Sequence, residues 1–177
     1  MNDTTIAYLA GGCFWCTEAM FQRLKGVNSV VSGYMGGEIK NPAYREICTG
    51  RTGHAEAIQL SYEPSIISYK SLLHVFFATH DPTTLNQQGN DKGTQYRSAI
   101  FYVNEYQKLT AEEVIKELQT TTFDSPIVTE VVAEVPFYSA EEEHQNYYNQ
   151  HSEQMYCSYV INPKLAKLKE SFSHLLL

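Results

Sequence analysis

A single-domain, two-layer α/β (α+β) plait is the fold class predicted for this chain, with a ferredoxin-like mixed sheet and helices packed on it. Three observations predict it. At 177 residues the chain suits one domain with a substantial core. Segments of alternating apolar residues interchange with segments of helical period, in the order β-α-β-β-α-β-α-β-α. No internal repeat, low-complexity tract or linker divides the pattern, so residues 1–177 are read as one domain.

Thr5–Ala10 reads as the first strand, and a helix runs from about Phe14 to Leu24 with Phe14, Phe21 and Leu24 on one face. Val27–Tyr34 is a second strand, closed by Gly36-Gly37. After a polar loop, Ala55–Tyr62 is a third. A helix over Ser68–Thr79 follows, with Leu72, Leu73, Phe76 and Phe77 as its apolar stripe and Pro82 just past its end. Residues 81–96, "DPTTLNQQGNDKGTQY", form a long polar loop of the kind that is functional or disordered. Arg97–Val103 is a strand, Glu105–Gln119 a helix with Glu and Lys on its wet face, and Ile127–Val135 a strand. Two short helices lie near 140–151 and 163–173.

Composition narrows the function classes. The chain is 43% hydrophobic and 19% charged, with 13 basic against 20 acidic residues and a net charge of −7. Without a basic stretch there is no electrostatic footprint for nucleic acid. No apolar run reaches membrane-spanning length. The run Ile6–Ala10 is shorter than a signal-peptide core, and Asp3 stands where positive residues are usual. Cysteines at 13, 16, 48 and 157 do not make a secreted disulfide framework. The expectation is a cytoplasmic protein with reduced thiols.

The stretch "GGCFWCTEAM" (11–20) carries the first chemistry. Cys13 falls where a strand passes into a helix, and the first helical N–H groups there lack internal partners. The positive helix end favours a thiolate, and Gly11 and Gly12 leave its approach open. The alternative is a small buried hydrophobe. Cys16, one turn on, lies within disulfide reach and is a candidate resolving thiol. Zinc would need two more ligands, yet Cys48 and Cys157 are isolated and the histidines at 54, 74, 80, 144, 151 and 174 lack ligand spacing, so no metal is expected. A thioredoxin-like thiol-disulfide oxidoreductase is the rival reading. Its tryptophan normally precedes the first cysteine, however, and here Trp15 lies between the two. Phe14 and Trp15, being adjacent, face different sides of a helix, so one of them lines a pocket over Cys13.

The second cluster, "NPAYREICTGRTGHAEAIQL" (41–60), turns at Gly50 and Gly53 into a strand. His54, Glu56 and Ile58 point to one face, Ala55 and Ala57 to the other. Glu56 is either a solvated edge charge or a functional group in an apolar strand. The third, "GNDKGTQYRS" (89–98), gathers Asp91, Gln95, Tyr96 and Arg97 at the end of the long loop.

Together "GGCFWCTE", "YREICTGRTGHAE", "GNDKGTQYRS" and "AEEEHQNYY" resemble the signature runs of the peptide methionine sulfoxide reductase A family, which acts on the S epimer of methionine sulfoxide. The likeness covers roughly residues 6–157. It implies that Cys13 attacks the sulfoxide sulfur and becomes a sulfenic acid. By the same resemblance Phe14 and Trp15 hold the S-methyl group, and Glu56, Tyr44 and Tyr96 hydrogen-bond the sulfoxide oxygen and deliver protons. Asp91 binds substrate backbone or shapes its loop, and Tyr147 completes the pocket. The substrates implied are oxidised proteins or free methionine sulfoxide. No cofactor is expected beyond an external reductant, thioredoxin or dithiothreitol, and residues of about 150–177 form a recycling segment. The chemistry agrees with these choices: a sulfoxide oxygen is a poor leaving group and needs a proton, so Glu56 is expected to have a raised pKa in an aromatic pocket.

Three positions depart from the family pattern. Cys16 stands where many relatives have glycine. "QMYCSYV" around Cys157 lacks the glycines of the usual recycling tail, and Glu143 precedes His144-Gln145 where relatives carry tyrosine. Cys16 and Cys157 are both assigned to recycling, Cys48 is read as a buried structural thiol, and His54 as an orienter of its loop.

Overall fold

The protein's structure, a computed structural model, describes residues 4–177, so Asp3 lies outside the described residues. In chain order the elements are β1 (Thr5–Gly11), α1 (Phe14–Phe21), β2 (Val27–Met35), α2 (Tyr44–Ile47), β3 (Ala55–Tyr62), α3 (Tyr69–Ala78), β4 (Gln87–Gln88), β5 (Asp91–Lys92), β6 (Ser98–Tyr102), α4 (Glu105–Thr121), β7 (Glu130–Ala133), β8 (Phe137–Ser139), α5 (Tyr147–His151) and α6 (Asn162–Phe172). One π-helical turn, Cys157–Ile161, leads into α6.

The main sheet has the order β7-β6-β1-β3-β2-β8. Its middle four strands pair antiparallel, and β7 joins β6 parallel at the edge. β1-α1-β2 and β3-α3-β6 are two interleaved βαβ units, each with a strand of the other between its own two. This is the predicted ferredoxin-like plait.

Alternation along β3 sends its residues to two cores. Ile58 and Leu60 enter the large core beneath the helices, while Ala55 and Ala57 join Ala10, Met35, Ala99 and Phe101 in a smaller one on the other face. Glu56 leans to the helical side. α3 follows its predicted stripe, with Leu72, Leu73, Phe76 and Phe77 buried, and Ser68 Oγ caps it by accepting from Ser71 N–H at 3.0 Å.

Four expectations change. α1 buries every residue but Trp15, so it is a core helix rather than an amphipathic one, and it ends at Phe21. The C-terminal "HLLL" takes up the segment that follows: Leu24 bridges Leu176, Lys25 N–H donates to Leu175 O at 2.8 Å, and Leu177 N–H donates to Arg23 O at 3.0 Å. The loop 81–96 carries the β4–β5 hairpin and a 3-10 turn at Thr94–Tyr96. The predicted strand over Ile127–Val135 narrows to β7. The helix near 140–151 divides into a 3-10 turn, Glu142–His144, and α5, because Asn146 between them adopts a left-handed φ of 56°.

Gly12 fixes the turn from β1 into α1. Its φ is +99°, and a Cβ there would come within 2.7 Å of Gln88 Cγ. Gly12→Ala is therefore expected to cost about 1–3 kcal/mol, read as a lowered urea midpoint with unchanged slope.

Candidate active site

The sharp turn at Gly12 leaves Cys13 as the N-cap residue of α1, just past the last β1–β6 pair, Gly11↔Ser98. The first helical amides are already committed. Phe14 N–H donates to Glu56 Oε1 at 3.1 Å, and Cys16 N–H and Thr17 N–H donate to Cys13 O at 3.1 and 3.4 Å. Only the Trp15 N–H is turned to the Cys13 sulfur. Burial pushes the Cys13 thiol well above its ordinary range, and its bond to Cys16 and the charge of Glu56 add to this. The thiolate expected from the helix end is thus overruled at rest: one amide does not offset near-complete enclosure, Cys13 being 9% exposed.

Cys16 is shifted in the other direction. A hydrogen bond from the Cys13 thiol and the charge of Lys164 bring Cys16 down to about 7, against its burial. Cys157 is fully buried at the start of the π-helical turn, and burial raises its pKa. All four cysteines are free thiols.

Glu56 stands near the start of β3, opposite Tyr34 of β2, and is 2% exposed. Burial lifts its pKa to about 8 although the Phe14 amide pulls the other way, so the raised value expected from sequence is found. Tyr44, at the start of α2, and Tyr96, in the 3-10 turn, face the same carboxyl. Burial first, then the charge of Glu56, raises both phenols, and Cys13 contributes to each. Asp91 of β5 accepts from the Tyr156 hydroxyl at 2.9 Å, and that oxygen lies 3.6 Å from Cys16 Sγ.

Of the two adjacent aromatics, Phe14 is buried against Tyr34 (ring centroids 5.6 Å apart) and Tyr44 (6.5 Å), and Trp15 is the half-buried one at the site. The Trp15 ring stacks on Tyr147 at 3.8 Å and 7°, and Tyr156 meets it edge-on at 5.8 Å. A groove of about 820 Å³ lies elsewhere, among His74, Phe77, Leu118, Lys164 and Phe172. The rings of Trp15, Tyr147 and Tyr156 pack together beside the cysteine pair.

The structure brings together Cys13, Cys16, Phe14, Trp15, Tyr44, Glu56, Asp91, Tyr96 and Tyr147, with Cys157 behind them. Sequence reasoning missed Tyr156, His144, Glu141 and Glu18. Glu141 accepts from the Tyr34 hydroxyl at 2.9 Å and from Tyr44 N–H at 2.8 Å. Glu18 accepts from Asn146 N–H and Tyr147 N–H at 3.0 and 3.2 Å, which holds α5 against α1. A glutamate inside the apolar run "CTEAM" was the signal available for it. Cys48 corrects an expectation: it is exposed, because its short helix α2 turns only Ile47 inward. His54 does tie its loop, with Nδ1 accepting from Gly37 N–H at 3.0 Å and Nε2 lying 2.6 Å from Ile39 O. Among the described residues no group of three His, Cys, Asp or Glu side chains could hold a metal.

With this geometry in place, comparison with known proteins is direct. The family model described as "Peptide methionine sulfoxide reductase" matches residues 5–176. "Peptide methionine sulfoxide reductase MsrA" of Chromobacterium violaceum is 57% identical over 171 residues, 96% of this chain and 97% of that protein. The crystal structure of Mxr1 from Saccharomyces cerevisiae in reduced form superposes with a TM-score of 0.80 at 35% identity, covering 87% of this chain and 89% of that one. Mxr1 in complex with Trx2 gives 0.57 at 27% identity, covering 81% and 84%.

Proposed function

The chain belongs to the peptide methionine sulfoxide reductase family, and on that premise we propose how its own residues reduce methionine-S-sulfoxide, free or in proteins, to methionine. The observation that carries the reading is the buried Glu56, whose pKa near 8 keeps its carboxyl protonated at neutral pH beside Cys13. The sulfoxide methyl packs on Trp15, flanked by Phe14 and Tyr147, and its oxygen turns to Glu56, Tyr44 and Tyr96. Cys13 sulfur attacks the sulfoxide sulfur. Glu56 gives its proton to the departing oxygen and takes up the one released by Cys13, whose thiol lies close enough for its ionisation to feel the carboxyl. The protonated oxygen, once off the substrate sulfur, bonds to Cys13 sulfur; the S–S bond breaks with its electron pair passing to the substrate sulfur, so methionine leaves and Cys13, oxidised by two electrons, is left as the sulfenic acid.

Cys16 then attacks that sulfenic sulfur, water departs, and a Cys13–Cys16 disulfide remains. The place of Cys16 one helical turn from Cys13 favours it over Cys157, whose thiol burial keeps protonated. Cys157 exchanges into the bridge afterwards, and thioredoxin, or dithiothreitol in vitro, returns the thiols. The yeast neighbour was captured with Trx2. Residues 1–177 act as one reductase domain with a recycling segment at about 150–177 and no cofactor beyond the external thiol. The four unevenly spread cysteines, unlike a secreted disulfide framework, support a cytoplasmic location, and among the described residues no helix is long and apolar enough to cross a membrane.

Cys16→Ser is expected to lower thioredoxin-driven turnover by more than about tenfold, Cys157→Ser by less, each variant still forming one methionine per enzyme. Peptide mapping after one equivalent of sulfoxide should recover the 13–16 bridge first; a 13–157 bridge appearing alone reverses the order. The whole reading is tested by chiral analysis of a racemic methionine sulfoxide peptide incubated with the protein and dithiothreitol. Loss of the S epimer alone supports it. Persistence of both epimers while insulin disulfides are reduced hands the site to the thioredoxin-like oxidoreductase.

A further inference from the structure

We infer that His144 is a positioning residue for sulfoxide binding, fixing the Trp15 indole through its Nδ1 acceptor and the Tyr44 ring through its face. This rests on Trp15 being the wall against which the S-methyl group packs. His144 ends the 3-10 turn Glu142–His144 and is 7% exposed. The Trp15 Nε1–H donates to His144 Nδ1 at 3.3 Å. The His144 ring lies 4.1 Å from Tyr44, 5.7 Å from Phe14 and 5.8 Å from Trp15, nearly parallel to the last at 20°. One imidazole therefore touches both the methyl-binding wall and a phenol that faces Glu56. Its own place is fixed from behind, where its N–H donates to Glu141 O at 2.9 Å, and the Glu141 carboxylate holds Tyr44 N–H.

An indole offers a donor and no acceptor. The bond to Trp15 accordingly requires an unprotonated Nδ1, which leaves the ring proton on Nε2. An imidazolium has no lone pair to give. Protonating His144 breaks the bond and frees the indole that borders the substrate.

The groups facing His144 decide where this happens. Burial lowers its pKa, while Glu141 and Glu143 of its own segment draw it back up; Tyr44 of α2 and Phe14 and Trp15 of α1 pack on it without formal charge. Burial wins, so the bond is intact at neutral pH and is lost only in acid. Glu143 is the residue directly before His144. The charge it brings makes His144 titrate at higher pH here than it would with a neutral neighbour.

Trp15 is the chain's single tryptophan, so its emission reports this contact without substrate. The expected results concern three variants. In the wild type the emission titrates on the acid side; His144→Asn, whose Oδ1 takes the place of Nδ1, keeps the neutral-pH emission and loses the titration. Glu143→Gln moves the midpoint to lower pH and leaves KM at neutral pH unchanged. His144→Phe keeps a ring but no acceptor and raises KM for an S-sulfoxide peptide roughly three- to tenfold with little change in kcat, the size of one lost hydrogen bond, and His144→Asn, which returns the acceptor without the ring face beside Tyr44, restores most of that KM. An acid titration that persists in His144→Asn, or a His144→Phe variant with wild-type KM, overturns the assignment. The emission arm needs no turnover, so it stands or falls separately from the reductase reaction.

Discussion

Cys13→Ser is expected to abolish methionine sulfoxide reduction while leaving the fold intact. The argument is one of electrons as much as nucleophilicity. Taking oxygen from a sulfoxide requires another atom to give up two electrons, and cysteine sulfur does so by becoming a sulfenic acid. A serine hydroxyl has no equivalent oxidation under these conditions. The loss should therefore reach the floor of the assay, more than about 10⁴-fold, and should be complete in a single turnover as well as at steady state. The side chains are close in size, so the expected change in stability is within about 1 kcal/mol. The measurement is methionine formed per enzyme on mixing with one equivalent of sulfoxide. Stoichiometric methionine from the variant would transfer the nucleophile's role to Cys16, the more acidic thiol of the pair.

Glu56→Gln is expected to lower kcat by about 10²–10⁴-fold, the usual range for a lost general acid. Glutamine keeps the shape and still accepts from the Phe14 amide, but it has no proton to give. The pH profile separates this role from simple packing. Glu56 donates while protonated, so wild-type rates should fall as pH rises through about 8, and the residual rate of the variant should lack that limb.

Stability falls over the same rise in pH, but there the substitution helps. A carboxyl whose pKa is raised by folding binds its proton more tightly in the native state than in the unfolded chain. Between its ordinary value of 4.5 and about 8, native stability therefore drops with rising pH, and above that the loss is complete. At about 1.4 kcal/mol per unit the wild type forfeits on the order of 5 kcal/mol over this window. Glu56→Gln should escape it and unfold at higher urea than the wild type at pH 9. A wild-type midpoint that does not change between pH 5 and pH 9 would mean Glu56 ionises normally and is no acid catalyst. The most destabilising side chain of the site is then also the one the reaction cannot spare.

Much of this was legible from the chain. β3 begins and ends where alternation said it would, and the plait followed from element order alone. Cys13, Glu56, Tyr44, Tyr96 and Asp91, singled out through the family resemblance, lie near one another, and their roles are those proposed above. The misses have a common cause in distance along the chain. Tyr156 reaches Cys16 across 140 residues and His144 reaches Trp15 across 129, and no local pattern encodes such pairs. The same holds for electrostatics. A helix start favours a thiolate at Cys13 locally, yet the enclosure that reverses it comes from Glu56 and from rings in the last third of the chain. β8 and the β4–β5 hairpin are three and two residues per strand, too short to show a period.

Two parts of the site are built from different material. Cys13 and Glu56 hang from β1 and β3, the inner strands of the sheet. Tyr147 sits on a five-residue helix, and Tyr156 and Cys157 on the helical and π-helical turns before α6, anchored by buried Cys157 and Ile161 and by side-chain bonds to Glu18 and Asp91. Segments of the second kind open at lower free energy than central strands. Warming or ageing the enzyme thus wears it unevenly. It will forget how to be used again well before it forgets how to react once.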